Sequence, residues 1–296
     1  MATVGNGQYT YEVIEDFIKL PQGWTFGTVA GVAVDSQGRI YICQQQQDPP
    51  ILVFDRDGNY LSSWGTGTVV EPHSIYISPD DIIYLSDRGS HTVSKLTLDG
   101  SPLLELGNRG QPSDTGCTED AGIVLRAAGP FNRPTQMFPA PSGDLYVSDG
   151  YRNSRVHRFS GDGGFISSWG APGKTVPGDF HVPHSVWVDG EGRVYVCDRE
   201  NNRIQIFSLT GEFITQWDEL NLPGDIYMDA NDTIYVYEGG AGETGGTRIS
   251  VLNKVGNVLA RWDSPPGHQI WVDSLGDIYL TVPYRKKLTK YVKVSR

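Results

Sequence analysis

Short apolar runs separated by polar turns recur along the chain, and six of them align on a strand that contains a tyrosine. Each aligned strand follows a turn such as DSQG or DGEG, and another short apolar strand precedes that turn. A polar turn, a third strand, a second turn and a fourth strand come after it, which predicts six copies of a four-stranded antiparallel unit. The aligned strands are GRIYI (38–42), DIIYL (81–85), DLYV (144–147), RVYV (193–196), TIYV (233–236) and DIYL (277–280).

Six four-stranded units of this spacing predict an all-β fold, a six-bladed β-propeller. The sixth copy ends at TKYVKVSR and lacks a fourth strand. The segment YTYEVIEDFIKL (9–20) precedes the first copy and has no other partner. We therefore expect this N-terminal strand to close the last blade, which would leave few exposed sheet edges.

Composition agrees with one closed domain over residues 1–296, because no charged or Pro/Ser-rich linker interrupts the repeats. The 15 Tyr, 7 Trp and 36 Gly suit short strands and tight turns. No apolar window of about 18 residues could span a membrane, and the N-terminal sequence does not resemble a secretion signal. Three cysteines, Cys43, Cys117 and Cys197, are too few for a disulfide framework, so a cytoplasmic protein is expected.

The formal net charge of −11 disfavours nucleic acid and anionic membrane surfaces as partners, because their phosphates would be repelled. Local basic residues could still hold a small anion. The expected partner is therefore a small-molecule substrate, and the oligomeric state stays open.

Histidines occupy every second copy of the repeat at one fixed position. In a propeller the first strand of each blade lines the central channel, and alternate blades of six lie about 120° apart. Three imidazoles would converge there, and three protein ligands with one open position are typical of catalytic zinc. We predict a zinc site at His73, His184 and His268. The fixed position lies ten residues before the apolar residue that precedes each aligned tyrosine. It is occupied, in order along the chain, by Ala30, His73, Thr135, His184, Gly224 and His268.

The turns after the aligned strands supply further candidates on one face of the ring. Tyr151, Arg88 and Arg199 are irregular insertions in otherwise similar turns. A tyrosine hydroxyl can act as a general acid or base, and an arginine can stabilise an oxyanion or hold a carboxylate. We predict catalytic roles for these three residues. The turns read SDRGSHTV (86–93), SDGYRNSRV (148–156) and CDRENNRI (197–204).

Three segments resemble the NHL-type six-bladed propeller of peptidyl-α-hydroxyglycine α-amidating lyase, and the resemblance covers nearly the whole chain. They are VPHSVWVDGEGRVYVCDRENNRIQIF (182–207), SDGYRNSRV (148–156) and EPHSIYI (71–77). The resemblance implies a catalytic zinc on the three histidines, a catalytic tyrosine at Tyr151 and an active-site arginine at Arg199. It implies cleavage of a carbinolamide, HO–C–N, to an amide and an aldehyde.

The chain departs from that pattern at two glutamines. A second arginine of the family falls at Gln45, so one anchor for a substrate carboxylate is absent. The family's structural calcium uses an aspartate at the position of Gln269, with backbone carbonyls that match Val32 and Ile75. A neutral amide weakens the calcium expectation, since calcium favours carboxylate oxygens. These departures predict a retained metal triad with a changed substrate.

The leading hypothesis is a zinc-dependent lyase of the amidating-lyase type that cleaves a C–N or C–O bond of a small carbinolamide or a related α-hydroxylated compound. A metal-dependent hydrolase of the lactonase kind is the alternative enzyme, although such lactonases place acidic and amide side chains on the metal. A non-catalytic NHL interaction propeller is the third hypothesis, and it does not require alternating histidines. The insertion at 108–134 is expected to form a lid or pocket wall, with Ile123, Val124, Leu125 and Phe131 over the channel mouth.

Overall fold

The protein is an all-β, six-bladed propeller in the computed structural model, which describes residues 2–239 and 246–294. The fold predicted from the repeats is confirmed. First strands of consecutive blades contact one another, and the first strand of the sixth blade also contacts that of the first. This contact closes the ring around a central axis.

Blades 1 to 5 are four-stranded antiparallel sheets whose strands follow chain order from the axis outward. Blade 1 consists of Thr28–Val34, Ile40–Gln45, Ile51–Phe54 and Tyr60–Trp64. Blade 2 consists of Pro72–Ile77, Ile83–Asp87, Thr92–Leu96 and Pro102–Leu106. Blade 3 consists of Gln136–Pro139, Leu145–Asp149, Arg155–Phe159 and Phe165–Trp169. Blade 4 consists of Pro183–Val188, Arg193–Asp198, Arg203–Ser208 and Phe213–Trp217. Blade 5 consists of Pro223–Met228, Ile234–Glu238, Arg248–Leu252 and Val258–Asp263.

Blade 6 combines the two ends of the described chain. Its strands, from the axis outward, are Ile270–Val272, Ile278–Val282, Lys287–Lys293, Tyr9–Ile14 and Ala2–Asn6. Tyr9–Ile14 runs antiparallel to Lys287–Lys293, with Tyr11 opposite Lys293 and Ile14 opposite Lys290. The N-terminal segment therefore supplies the fourth strand that the sixth copy lacks.

Three small elements lie outside the blades or at their edges. A two-stranded parallel pair joins Ala171–Pro172 to Asp179–Phe180, between blades 3 and 4. Short 3₁₀ helices cover Arg199–Asn201 and Pro283–Arg285, each directly after the second strand of its blade. No helix within the described ranges is long and apolar enough to cross a membrane.

A recurring aspartate holds the turn between the first and second strands of several blades. In blade 4, the Oδ1 atom of Asp189 accepts hydrogen bonds from the backbone N–H groups of Glu191 and Arg193, at 2.9 and 2.8 Å. Gly192 takes a positive φ of 80°, which a glycine adopts without steric cost. The aspartate thus fixes the hairpin between the first and second strands.

A bulge in the first strand directs His73 and His184 toward the axis. In blade 2 the pairing passes from Pro72 opposite Asp87 to Ser74 opposite Ser86, which leaves His73 outside the ladder. Blade 4 has the same shift around His184. A bulge of this kind re-aims a side chain, so two consecutive residues can face the axis. Blades 1 and 5 carry the bulge at the matching positions Ala30 and Gly224.

The far end of the axis is filled by aromatic side chains that lie three residues after the histidine positions. The Phe138 and Trp187 ring centroids are 4.2 Å apart, and those of Tyr227 and Trp271 are 5.1 Å apart. Tyr76 contacts three of these rings. Such tilted and edge-on contacts between large rings stabilise the centre of the propeller.

Candidate metal centre and surrounding pocket

Three histidine side chains converge on the axis at one end of the propeller. The ring nitrogens of His73, His184 and His268 that could bind a metal all lie within 4.8 Å of one another. The Nε2 atoms of His268 and His73 are 2.9 Å apart. All three rings meet edge to face, with centroids 4.4 to 4.9 Å apart. The structure therefore brings together the three residues that the repeat register had selected.

The small residues of the intervening blades hold the histidines through their backbone carbonyls. His73 Nδ1 lies 2.6 Å from the Thr135 oxygen, and His184 Nδ1 lies 2.6 Å from the Gly224 oxygen. His268 Nδ1 lies 2.7 Å from the Ala30 oxygen. A carbonyl only accepts, so each Nδ1 carries the proton and donates it. Each Nε2 therefore presents a lone pair to the axis.

Burial keeps these imidazoles neutral. It lowers the pKa of His73 and of His184 well below the ordinary histidine value, and it lowers the pKa of His268 to about 4. Neighbouring imidazoles lower the pKa of His73 further, and the Arg199 guanidinium does so for His184. Two neutral Nε2 lone pairs facing each other at 2.9 Å repel unless a cation lies between them.

This donor set fits a divalent transition metal. Zinc binds neutral imidazole nitrogen, and a backbone carbonyl on the other ring nitrogen is a common support for such a ligand. The three-histidine group can therefore hold a metal ion.

Tyr151 stands beside the histidines. Its hydroxyl oxygen lies 3.3 Å from His73 Nε2 and 3.2 Å from His184 Nε2. Gly150 allows this approach, because a Cβ atom there would lie 2.3 Å from the Pro183 backbone oxygen. The turn that follows the second strand of blade 3 can thus contact the first strand of blade 4 and reach the axis.

The two predicted arginines approach the same tyrosine ring. The Arg88 guanidinium carbon lies 5.0 Å from the Tyr151 ring centroid, and that of Arg199 lies 5.6 Å from it. Arg199 is held by the adjacent Glu200 carboxylate, at 2.9 Å. Both cations therefore contact the side chain that reaches the histidines, within cation–π range.

A cavity of about 260 Å³ opens above the histidines. Its volume suits a small molecule rather than a polymer. Besides the histidines, Tyr151 and the two arginines, its wall includes Thr28, Gln45, Tyr237 and Tyr284. Sequence reasoning had not selected Tyr237 or Tyr284, since neither stands out in the repeat.

The insertion at 108–134 does not line this cavity over its described residues, contrary to the expectation of a pocket wall. Phe131 is fully buried beside His157 and Phe159, and Ile123 is 82% exposed. The insertion contacts the Tyr151 turn from outside, where the Ala121 N–H donates to the Tyr151 carbonyl at 2.8 Å. It braces the turn instead of covering the channel.

Gln269 occupies the place where the resemblance implied calcium. Its Nε2 donates to the Ile75 carbonyl at 2.9 Å, and its Oε1 accepts the backbone N–H groups of Val32 and Ile75 at 3.3 Å each. A hydrogen-bond donor therefore faces the Ile75 carbonyl. The calcium site stays a prediction, and this amide argues against it.

The remaining histidines lie away from the axis. His157 is fully buried and pairs with the Asp149 carboxylate at 3.3 Å. His91 accepts a hydrogen bond from the Arg133 backbone N–H at 3.1 Å. His181 uses its own backbone N–H to bind the Asp198 carboxylate. The register therefore distinguishes the axial histidines from these three.

The molecule is a six-bladed β-propeller whose channel carries a candidate metal centre, the axial histidine triad, at one end. The NHL repeat family matches residues 180–207, the segment that holds His184 and Arg199. NHL repeat-containing protein 3 of Homo sapiens is 37% identical over 213 residues, which covers 67% of this chain and 57% of that protein.

A second relative carries the name of an enzyme. The probable peptidyl-alpha-hydroxyglycine alpha-amidating lyase of Caenorhabditis elegans is 30% identical over 161 residues, which covers 53% of this chain and 43% of that protein. The chain thus has both an NHL repeat-containing protein and an amidating lyase among its homologues, and the resemblance seen in the sequence is confirmed. It spans less than two thirds of the length of either relative.

A solved propeller shares the fold at low sequence identity. The Xanthomonas campestris gluconolactonase structure has a TM-score of 0.65 at 13% identity, over 96% of this chain and 90% of that one. At this identity the match concerns the fold alone. Propellers of this shape include a gluconolactonase and a streptogramin B lyase.

Proposed function

We propose that this chain is a zinc-dependent lyase that cleaves the C–N bond of a small carbinolamide or a related α-hydroxylated compound. The observation that carries the proposal is the position of the Tyr151 hydroxyl, 3.2 to 3.3 Å from two of three convergent imidazole nitrogens. A proton-transfer group and a metal-ligand set thus share one small cavity, as a lyase of this type requires.

His73, His184 and His268 would hold the zinc ion. When bound, zinc acts as a Lewis acid that polarises a substrate hydroxyl and makes its proton easier to remove. The carbonyls of Ala30, Thr135 and Gly224 keep the three rings oriented, with each Nε2 toward the axis.

Tyr151 would move the proton. Cleavage breaks the O–H and C–N bonds, forms a C=O bond and adds a hydrogen to the departing nitrogen. A phenol can donate its proton to that nitrogen and accept the hydroxyl proton, so it ends in its starting state. Arg199 would stabilise negative charge near the hydroxyl oxygen, and Arg88 lies on the same ring.

The test is product analysis with a defined carbinolamide. Purified zinc-containing protein is incubated with an N-acyl-α-hydroxyglycine, and the amide and the aldehyde are quantified against a no-protein blank. We expect the two products in equal amounts, at a rate far above the blank.

Two other outcomes would contradict the proposal. Opening of simple lactones, without carbinolamide cleavage, would identify a hydrolase that uses a metal-bound water. Cleavage of neither substrate by zinc-containing, folded protein would favour a non-catalytic interaction propeller.

A further inference from the structure

The Arg88 side chain brings a positive charge to the cavity from blade 2. It follows the second strand of blade 2, it lines the cavity above the histidines, and its guanidinium lies over Tyr151. Its Nη2 atom donates to Gln45 Oε1 at 3.4 Å. Blade 1 thus contributes a neutral amide to this side of the cavity, and the neighbouring blade contributes the positive charge.

Arg88 is one of four charged side chains that form a closed ring of ion pairs. Glu71 binds both Arg88, at 2.6 Å, and Arg133. Asp120, in the 108–134 insertion, binds Arg88 at 3.5 Å and Arg133 at 3.0 Å. Arg152 also binds Asp120, at 2.8 Å. All of these side chains are at most 30% exposed, so water screens the ring less than it screens a surface pair.

The charges of this network do not cancel. Three arginines face two carboxylates, which leaves one positive charge beside the cavity. Arg88 Nε is buried and has no hydrogen-bond partner within the described part of the chain. In a chain with a net charge of −11, this local excess of positive charge favours an anionic ligand in the cavity.

We propose that Arg88, positioned by Glu71 and Asp120, binds an anionic group of the substrate beside Tyr151, whose ring Arg199 also contacts. The substrate is then a small acid whose carboxylate lies beside Tyr151 while its hydroxyl carbon lies over the histidines. Arginine is suited to this role because its planar guanidinium binds a carboxylate through two parallel hydrogen bonds. This inference rests on the proposed lyase function for the reaction, but not for the anion site itself.

Asp120 has a distinct part in the proposal. Asp120 does not line the cavity. It acts on the substrate only through Arg88, so it is a positioning residue. The insertion then influences substrate choice from outside the cavity.

The experiment compares an N-acyl-α-hydroxyglycine with its methyl ester, which keeps the reacting carbinolamide and removes the negative charge. We expect the wild-type protein to prefer the acid. Arg88→Met should lower that preference about tenfold to hundredfold, mainly through a higher KM for the acid, because a charged hydrogen-bond partner is lost.

Variants at Asp120 separate positioning from general damage. Asp120→Asn should raise the KM for the acid with less effect on kcat, and Asp120→Glu should restore part of the loss. Arg126→Met is the matched control, since Arg126 lies in the same insertion, pairs with Asp114 and does not line the cavity. It should keep the full preference for the acid.

Two results would overturn the proposal: a wild-type protein that cleaves acid and ester equally well, or an Arg88→Met variant that keeps the preference. If neither compound is cleaved, the lyase function fails, and calorimetric binding of the acid and the ester then tests the anion site separately. Tighter binding of the acid that disappears in folded Arg88→Met would support the site, and equal binding of both compounds would remove it.

Discussion

The first strand of each blade, together with the residues just before it, presents two different surfaces to the channel, and the comparison between them separates function from packing. The first surface, here called the histidine level, consists of positions 30, 73, 135, 184, 224 and 268. Its residues alternate strictly between a small residue and histidine. The second surface, here called the aromatic level, lies three residues further along each blade. In order around the ring it consists of Ala33, Tyr76, Phe138, Trp187, Tyr227 and Trp271. Five of these six are aromatic, and they follow no alternation between blades.

The difference shows what each level requires. The aromatic level requires large side chains that fill the space around the axis. Its ring centroids lie 4.2 to 5.7 Å apart. The histidine level needs geometry, because each ring nitrogen must be oriented and each small residue must offer its carbonyl. Strict alternation of histidine with small residues therefore indicates a candidate binding site, whereas large residues without alternation indicate a packed core.

The largest expected effect at the histidine level is on rate. Tyr151→Phe removes the hydroxyl that lies between His73 and His184 and preserves the ring beneath the two arginines. We expect kcat to fall about 10²-fold to 10⁴-fold, the usual contribution of a positioned proton donor. Steady-state kinetics at matched zinc content measures this. An unchanged kcat would assign the proton transfer to another group.

A substitution at the aromatic level should lower stability and leave zinc binding intact. Trp187 is 7% exposed and lies three residues after His184 on the same strand. Trp187→Ala should reduce the free energy of unfolding by about 3–5 kcal/mol, because a large cavity opens in the core. Zinc content should be retained below the melting temperature. Denaturant unfolding and metal analysis of one sample make the comparison, and loss of zinc from the folded variant would couple the two levels.

A smaller effect is expected from Asp225, which lies between the two levels. Burial raises the pKa of Asp225 to about 7, although hydrogen bonds from the Ile270 backbone and the Ser185 hydroxyl oppose the rise. Between about pH 4 and pH 7 the unfolded chain loses this proton and the folded chain keeps it. This residue therefore lowers stability as pH rises through that window.

Asp225→Asn should remove that contribution. We expect the variant to gain on the order of 2 kcal/mol relative to the wild-type protein between pH 5 and pH 8, and little further change at higher pH. Urea unfolding across this range measures the difference. A constant difference between the two proteins would mean that Asp225 keeps an ordinary pKa.

Periodicity made part of this architecture predictable. The six tyrosine strands defined the blades, and their register selected His73, His184 and His268, because a repeat places equivalent residues at equivalent positions around a ring. The turns after the second strands identified Tyr151, Arg88 and Arg199 through their irregularity. The shared cavity confirms that these six residues lie together.

Contacts between irregular segments were not predictable. Glu71 and Asp120 hold Arg88 although they lie far from each other in sequence, and Asp120 belongs to an insertion without a repeat. The carbonyl acceptors were also missed, since a backbone oxygen has no sequence signal. The small residues at Ala30, Thr135 and Gly224 were the available hint, and they indicated room without indicating a hydrogen bond.

Metal content tests the central claim most directly. We predict about one zinc ion per chain in the wild-type protein, as for other three-histidine sites. His184→Ala should lose it and remain folded, whereas His181→Ala, which removes a histidine three residues away and outside the cavity wall, should retain it. A folded wild-type protein that binds no zinc when zinc is supplied, or a His184→Ala variant that keeps its zinc, would contradict the account.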